Sequence, residues 1–170
     1  DVLTQESAII RSPELLHQWS RVLRFQKGES VILLDDTGFE YGADISEIGL
    51  KEILCKILWK NQCQAELSVR IVLAQSLVKN PEKFEWILQK GTELGIVEFI
   101  PLVTDRTEQR FLRKRERLEK ILKESAEQSG RSRIPVLHDL VKFDEIFGKY
   151  DFVLIAHPAA EMKFSDFKKT

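Results

Sequence analysis

The chain has 170 residues and a formal net charge of −1, with 43% hydrophobic and 31% charged residues. This length fits one large domain or two small ones, and the composition excludes a disordered chain. No apolar run approaches the roughly 18 residues that a membrane-spanning helix needs, and the N-terminus lacks the basic and apolar regions of a signal peptide.

Residues 1–67 are predicted to form a small, mostly β domain. Ser12 is a good N-cap and Pro13 suits the first helical position, so a short amphipathic helix is expected before Gly28. Three β-rich runs follow, at 30–35, 39–46 and 50–59. The first two flank a turn signal at Asp36-Thr37-Gly38. Several short strands at this spacing suggest a small barrel.

From residue 68 onward the pattern changes to alternating strands and helices. The predicted strands are 69–74, 97–103, 135–137 and 151–156. The predicted helices are 81–94 and 114–129, with a short helical patch at 143–147. This order implies a parallel sheet with helices on its faces. The predicted fold class is therefore α/β with a small β domain in front.

The helix that begins at Pro81 has the most informative sequence. Its apolar face includes Gly91, which costs about 1 kcal/mol against Ala inside a helix. The close approach of a neighbouring backbone would explain that glycine. On another face Lys83 and Lys90 flank Trp86, and an aromatic residue between cations suits RNA. A half-buried Trp86 with lysines extended along the protein surface is the alternative.

Charge is distributed unevenly along the chain. The window 106–133 holds ten basic and five acidic residues, a net charge of +5 in a chain of net charge −1. A near-neutral protein of this kind can still present a basic face to a phosphate backbone. A solvated helix whose charges pair with one another is the alternative.

Two loops in this region carry candidate RNA-binding arginines. Arg106 follows the strand 97–103, at the end where α/β sheets usually place ligands, although an ordinary polar loop is the alternative. Gly130 is typical of a C′ cap that ends the basic helix, and Arg131 and Arg133 follow it. Because arginine forks suit phosphate oxygens, both are predicted to contact RNA.

The cysteines indicate the cellular compartment. Cys55 and Cys63 are the only two in the chain, and their spacing matches no common zinc motif. Thiols in a reducing compartment are therefore expected, and we predict a cytoplasmic protein without a metal site.

Two segments carry a recognisable family pattern. Residues 79–95 read Lys-Asn-Pro-Glu-Lys-Phe-Glu-Trp-Ile-Leu-Gln-Lys-Gly-Thr-Glu-Leu-Gly. Residues 127–135 read Glu-Gln-Ser-Gly-Arg-Ser-Arg-Ile-Pro. Shorter matches are His17 with Val22-Leu23-Arg24, the stretch Thr104-Asp105-Arg106-Thr107, and His157-Pro158. Together these strings resemble the ribosomal RNA small subunit methyltransferase E family, whose pattern Glu-Gln-Ser/Cys-Gly-Arg-x-x-x-Pro is the most specific match.

The resemblance implies a fold and a function. Family members methylate N3 of a uridine in 16S ribosomal RNA with S-adenosylmethionine, so 16S rRNA or the small ribosomal subunit is the implied partner. The implied fold is a PUA-like RNA-binding barrel over 1–67, followed by the N-terminal part of a SPOUT-class methyltransferase domain over 68–170. The family's knot strings, Gly-Pro-Glu-Gly-Gly and Leu-Gly…Leu-Arg-x-Glu-Thr-Ala, supply cofactor binding and the homodimer interface, and neither occurs in these residues.

The resemblance also implies site residues. His157 and Pro158 are expected on the rim of the cofactor cleft, whereas the catalytic residue is expected in the C-terminal segment outside this chain, which would then be an inactive portion of the enzyme. The implied RNA-binding residues are Arg24, Lys83, Lys90, Arg106, Arg131 and Arg133. Two alternatives stay open: a non-catalytic RNA-binding module, and a related SPOUT methyltransferase that acts on another RNA such as tRNA.

Overall fold

A computed structural model of the chain describes residues 1–108, 110–157 and 159–161. Its strands form two sheets of different kinds, an antiparallel sheet followed by a parallel one. This arrangement confirms the predicted mixed α/β class. None of the helices in the described part of the chain is long and apolar enough to cross a membrane.

Five strands make up the antiparallel sheet. They are β1 (Val2–Leu3), β2 (Ser7–Ile10), β3 (Ser30–Leu34), β4 (Phe39–Ile48) and β5 (Ile53–Gln62). Their order across the sheet is β1-β2-β5-β4-β3. Inward-facing residues of the two long strands, Ala43 and Ile45 with Ile53 and Cys55, form a buried core with Trp19.

Helix α1 (Pro13–His17) packs over this core and begins as predicted. The Ser12 hydroxyl caps it by accepting a hydrogen bond from the Leu15 N–H. The chain then widens into a π-helical turn, Gln18–Val22. This wider turn moves the following residues off the α-helical face. Val22 is accordingly 63% exposed, although its spacing of seven residues from Leu15 would place it on the apolar face of a regular α-helix.

Strand β5 departs from regular alternation at Trp59. Ile57 faces the core and pairs with Ala43, but Trp59 pairs with the adjacent Gly42. Leu58 is therefore the extra residue of a β-bulge, which turns Trp59 to the outer surface. The indole lies over Gly42, where an added Cβ would come within 2.1 Å of the ring.

Four strands form the parallel sheet. They are β6 (Val72–Ser76), β7 (Glu98–Val103), β8 (Val136–Leu137) and β9 (Val141–Lys142). Strand β7 is central, with β6 on one side and the short strands β8 and β9 paired along the other. A 3₁₀-helical turn, Phe143–Ile146, follows where a helical patch was predicted.

Two helices, α2 (Pro81–Glu93) and α3 (Arg115–Gln128), cover one face of the parallel sheet. Asn80 caps α2, because its side-chain oxygen accepts the Glu82 N–H at 2.9 Å. The core beneath these helices comprises Leu77, Phe84, Leu88, Phe99, Leu118, Leu122 and Leu137. Successive residues of β7 face opposite sides, and Ile100 and Leu102 form a smaller core with Ile146 on the other face.

The predicted strand 151–156 is not formed. This segment lies outside both sheets in the described chain, and its apolar side chains stay on the surface, with Ile155 56% exposed. The prediction used local propensity, but strand formation depends on packing against neighbouring strands. Both cysteines, Cys55 and Cys63, are free thiols and are buried.

Candidate nucleic-acid interface

The segment that follows α3 joins the two sheets. Gly130 takes the left-handed conformation (φ 70°). The Arg131 N–H donates to the Ala126 carbonyl at 2.9 Å, and the Gly130 N–H donates to the Glu127 carbonyl at 3.2 Å. These two bonds define a Schellman motif and confirm the predicted C′ glycine. The turn reverses the chain at the end of α3.

Arg131 lies inside the protein, with a side chain that is 1% exposed. Its guanidinium donates to the Thr92 and Ile96 carbonyls at 3.0 and 2.7 Å, at the end of α2. It also donates to a carboxylate oxygen of Glu66 at 2.9 Å. The structure therefore places Arg131 in the interior and not, as predicted, on a phosphate-binding surface. Sequence alone gave no sign of Glu66 as its partner.

Arg133 lies on the surface of the same segment, residues 129–135, which we call the junction. Its Nη2 donates to the Thr37 carbonyl at 3.0 Å, and its backbone N–H donates to Glu66 at 3.0 Å. The next residue, Ile134, donates its N–H to the Asp36 carboxylate at 2.6 Å. These contacts hold the β3–β4 turn against the chain that leads into the parallel sheet. Arg133 stays exposed, so it remains a candidate phosphate ligand.

Asp35 shapes the β3–β4 turn for this contact. Its carboxylate accepts the N–H and hydroxyl of Thr37 at 3.0 and 2.6 Å, and the hydroxyl of Tyr41 at 2.9 Å. Burial raises the pKa of Asp35, but these hydrogen bonds outweigh it and hold the pKa below its ordinary value. The Arg133 guanidinium then lies against Gly38, where a Cβ would approach it to 2.9 Å.

Strand β7 ends in a tight turn that presents Arg106. The Thr107 N–H donates to the Thr104 carbonyl at 3.0 Å, and the Thr104 N–H donates to the Thr107 hydroxyl at 2.9 Å. Thr107 is buried, whereas Asp105 and Arg106 are exposed. The turn thus holds Arg106 in solvent at the carboxyl edge of the parallel sheet, where ligands bind in α/β sheets.

Residues 104–114, which we call the basic loop, carry a cluster of exposed cations. These are Arg106, Arg110, Arg113 and Lys114. None of them forms an ion pair within the described parts of the chain. The loop's acidic Glu108 pairs instead with Lys79, which follows β6, at 3.3 Å. Of these cations, sequence analysis singled out only Arg106, although the run 110–114 gave the signal.

Helix α3 has balanced charges. Its cations pair with glutamates: Arg115–Glu119 at 2.8 Å, Arg117–Glu85 at 2.7 Å, Lys120–Glu124 at 3.6 Å and Lys123–Glu127 at 3.9 Å. The alternative of a solvated helix with paired charges is therefore confirmed for α3. The excess positive charge of this region lies on the basic loop and at the junction.

The predicted cationic face of α2 is only partly present. Lys83 is exposed, whereas the Lys90 ammonium is held by Glu93 at 2.8 Å. Trp86 is 60% exposed and lines a cleft of about 370 Å³ between α2 and α3, together with Glu124 and other polar residues of both helices. Neither lysine lines that cleft. The surroundings of Trp86 are thus less favourable to RNA than predicted.

Arg24 combines exposure with an unusual backbone. Its φ of 56° is in the left-handed region, which is uncommon for a residue with a side chain. It lies two residues after the π-helical turn Gln18–Val22. Strained residues and π-turns both cluster at functional sites, so this geometry supports the candidate role of Arg24.

The predicted cofactor residues do not form an enclosed site in the described chain. His157 is exposed, and its Nδ1 accepts the Ala159 N–H at 3.2 Å. Pro158 lies outside the described residues. His157 lines neither the clefts beside the segment after α3 nor those beside α2 and α3 themselves. The residues present here do not fit S-adenosylmethionine by themselves, so we derive no reaction step at this position.

Comparison with protein families identifies the class of protein. Residues 65–170 match the RNA methyltransferase domain family. Residues 21–58 match the RNA methyltransferase PUA domain. The first match spans more than half of the chain, and the chain therefore belongs to the RNA methyltransferase domain family.

Individual relatives make the relationship more specific. Ribosomal RNA small subunit methyltransferase E of Bacillus subtilis is 33% identical over 153 residues, which are 85% of this chain and 59% of the relative. The Synechocystis protein of the same name is 33% identical over 147 residues, 85% of this chain and 47% of the relative. The family resemblance seen in the sequence is thus confirmed. The chain spans about half to three fifths of the length of these relatives.

Solved structures share the fold. A structure from Legionella pneumophila, described as a methyltransferase with the bound cofactor SAM, superposes with a TM-score of 0.79 at 27% identity. The match covers 99% of this chain and 72% of that chain. Ribosomal RNA small subunit methyltransferase E from Neisseria gonorrhoeae, bound to S-adenosyl methionine, gives a TM-score of 0.75 over 86% of this chain and 61% of that chain. Its identity of 23% shows the fold alone.

Proposed function

We propose that the chain is part of an enzyme that methylates N3 of a uridine in 16S ribosomal RNA with S-adenosylmethionine. The observation that carries the proposal is the pairing of an RNA methyltransferase domain with a PUA domain in one chain. The shared fold with a SAM-bound methyltransferase supports the cofactor. The name shared by the Bacillus and Synechocystis relatives supports small-subunit rRNA as the substrate.

The proposal assigns a task to each sheet. Residues 1–67 form the RNA-holding barrel. In support, Leu3 on edge strand β1 and Leu33 on edge strand β3 line the same cleft of about 580 Å³, as expected of a sheet whose two edges curve towards each other. Residues 68–170 form the first part of the SPOUT domain. In the complete enzyme the knotted segment lies outside these residues, and it completes the cofactor site and the homodimer interface.

The residues of this chain would chiefly position RNA. Exposed Arg24, Lys83, Arg106 and Arg133 are the proposed phosphate ligands, and Lys90 contributes less because Glu93 already holds it. When bound, the cofactor supplies an activated methyl group for attack by the uracil nitrogen. Catalysis of such a transfer depends on positioning and on stabilising the deprotonated uracil. The buried Arg131 guanidinium ties the segment after α3 to Glu66 and to the end of α2.

Methyl transfer by the native polypeptide tests the proposal. Polypeptide isolated from its natural source would be incubated with unmodified 16S rRNA, free and in small subunits, and with methyl-labelled S-adenosylmethionine. Nucleoside analysis should then find the label in N3-methyluridine. Label in tRNA instead would favour the related methyltransferase, and RNA binding without label would favour the non-catalytic module.

The 170-residue chain itself should bind S-adenosylmethionine weakly or not at all. The reason is that only the rim of the implied cofactor cleft, His157 and Pro158, lies within this chain, and His157 is exposed. Calorimetry of the chain with the cofactor measures this directly. Low-micromolar binding would show that the cofactor site lies elsewhere among these residues.

A further inference from the structure

The basic loop contains an exposed aromatic ring in contact with an arginine. The Phe111 side chain is 56% exposed, and the Arg113 guanidinium lies over its ring, 4.9 Å from the centroid. Aromatic rings and guanidinium planes are the groups on which bases of single-stranded RNA stack. We propose that Phe111 and Arg113 bind an unpaired RNA base, an inference that rests on the proposed function.

The position of the loop agrees with this assignment. The loop leaves the carboxyl end of β7, and the ion pair between Lys79 and Glu108 fastens it to the chain that leaves β6. Open α/β sheets bind their ligands at this edge. A base held by Phe111 would therefore lie close to the reacting nucleotide, as a neighbour in the same RNA strand.

The charge of the loop favours a polyanion. Arg106, Arg110 and Lys114 are exposed and form no ion pair within the described residues. Basic residues outnumber acidic ones by four to two over 104–114, and one of the two acids, Glu108, is already paired with Lys79. Such a loop gains affinity for phosphate through counterion release. The centre of a protein–protein interface is depleted of charge, so an RNA partner fits better than a protein.

The two exposed tryptophans lack this combination, and the cation over the exposed Phe39 ring is Lys60, which lies outside the basic loop. Trp86 lies in a cleft with glutamates of α2 and α3. Trp59 covers Gly42 on the outer face of the antiparallel sheet, the face that also carries Glu40 and Asp44 of β4. Phe111 is flanked instead by Arg110 and by Arg113, the residue that contacts its ring.

Replacement of the ring tests the inference. The 170-residue chain and its Phe111→Leu variant would be titrated with a fluorescently labelled single-stranded RNA from 16S rRNA and with a series of that RNA carrying one abasic nucleotide at each position. Loss of a stacked base corresponds to about 5- to 150-fold in affinity. We expect Phe111→Leu to weaken binding of the intact RNA within this range. The salt dependence should stay unchanged, because no charge is lost.

The abasic series locates the contact. One abasic position should weaken binding of the RNA to the wild-type chain. The same abasic RNA should bind Phe111→Leu no more weakly than the intact RNA does, which is the signature of two groups in contact.

Phe147→Leu is the matched control, because Phe147 is 49% exposed and lies outside the loop. The affinity of Phe147→Leu for the intact RNA should equal that of the wild type. Arg113→Gln should weaken RNA binding, and it should lower the slope of log affinity against log salt concentration by roughly 0.7. Lys51→Gln, in the β4–β5 connection, should change neither the affinity nor this slope.

The outcomes separate this inference from the proposed function. Equal affinities of wild type and Phe111→Leu would assign the ring to a protein contact and overturn the inference alone. Fully additive losses for Phe111→Leu and every abasic position would also overturn it. Absence of RNA binding by the wild-type chain would overturn the inference, whereas the proposed function stands or falls with methyl transfer by the native polypeptide. If Phe111→Leu weakens RNA binding but the native polypeptide transfers no methyl group, the contact between Phe111 and RNA stands and the proposed enzymatic function is wrong.

Discussion

Gly91 lies inside α2 against the ring of Phe99. A Cβ added at Gly91 would come within 2.7 Å of that ring and 3.0 Å of Ile96 Cδ1. The sequence predicted a close approach at this glycine, but the neighbour is a side chain and not the predicted backbone. Phe99 is 1% exposed and lies within a packed core, so the ring has little room to move.

Gly91→Ala should therefore lower the free energy of unfolding. The substitution gains about 1 kcal/mol of helix propensity, whereas overpacking costs about 1–3 kcal/mol. Urea unfolding measures the difference, with Lys83→Ala on the exposed face of α2 as the control for propensity. In a Phe99→Leu background the same Gly91→Ala change should be neutral or stabilising. A higher urea midpoint for Gly91→Ala in the wild-type background would refute close packing here.

Arg131 and Arg133 are separated by one residue but differ in surroundings. Arg131→Met would leave Glu66 without its buried partner, and breaking a buried ion pair costs about 3–5 kcal/mol. Arg133→Gln removes an exposed cation, so stability should fall by about 1 kcal/mol or less, the cost of one hydrogen bond.

Two measurements compare these variants. Urea unfolding should rank Arg131→Met well below Arg133→Gln in stability. Salt titrations of RNA binding should show the reverse order, with a slope lowered by roughly 0.7 for Arg133→Gln and unchanged for Arg131→Met. A stable Arg131→Met variant with a lowered slope would mean that the Arg131 guanidinium faces RNA.

At the scale of elements, a bidentate ion pair joins α2 to α3. Arg117 Nε and Nη2 donate to the two carboxylate oxygens of Glu85 at 2.7 and 2.8 Å. The hydrogen bonds from Arg117 hold the pKa of Glu85 below its ordinary value of 4.5. Because the pKa is lower in the folded state, the stabilisation is fully present above the ordinary value. It is lost as the pH falls through the lowered pKa.

Glu85→Gln should reduce stability at neutral pH but not in acid. Thermal unfolding at a series of pH values would compare it with wild type and with Glu47→Gln, an exposed control on β4. The difference between wild type and Glu85→Gln should shrink as the pH falls below about 4.5. A difference that stays constant with pH would assign it to packing and not to the ionised carboxylate.

Some features of these helices and strands were predictable from the sequence, and others were not. The bounds of α2 and α3 were predicted to within a residue or two, because Asn80 and Gly130 are local signals for helix ends. The bulge at Leu58 was missed, because it depends on the register between β4 and β5. Likewise, sequence could not distinguish buried Arg131 from exposed Arg133, because the difference comes from Glu66, which is distant in the chain.

At the scale of the whole molecule, the junction connects the two sheets, whereas the basic loop carries exposed positive charge. Hydrogen bonds from the segment after α3 reach both Glu66 and the β3–β4 turn, so they tie the antiparallel sheet to the parallel one. Exposed Arg106, Arg110 and Arg113 of the basic loop form no ion pair within the described residues and lie at the carboxyl edge of the parallel sheet. RNA is therefore expected to contact that edge and to leave the charge-balanced outer surface of α3 free.

Cross-linking of rRNA to the chain tests this account most directly. 16S rRNA containing 4-thiouridine would be irradiated with the 170-residue chain, and mass spectrometry would identify the cross-linked peptides. We predict cross-links in the basic loop and in the segments that contain Arg24 and Arg133, with none on the outer surface of α3. Cross-links concentrated on α3 or in the Trp86 cleft, with none in the basic loop, would contradict the account.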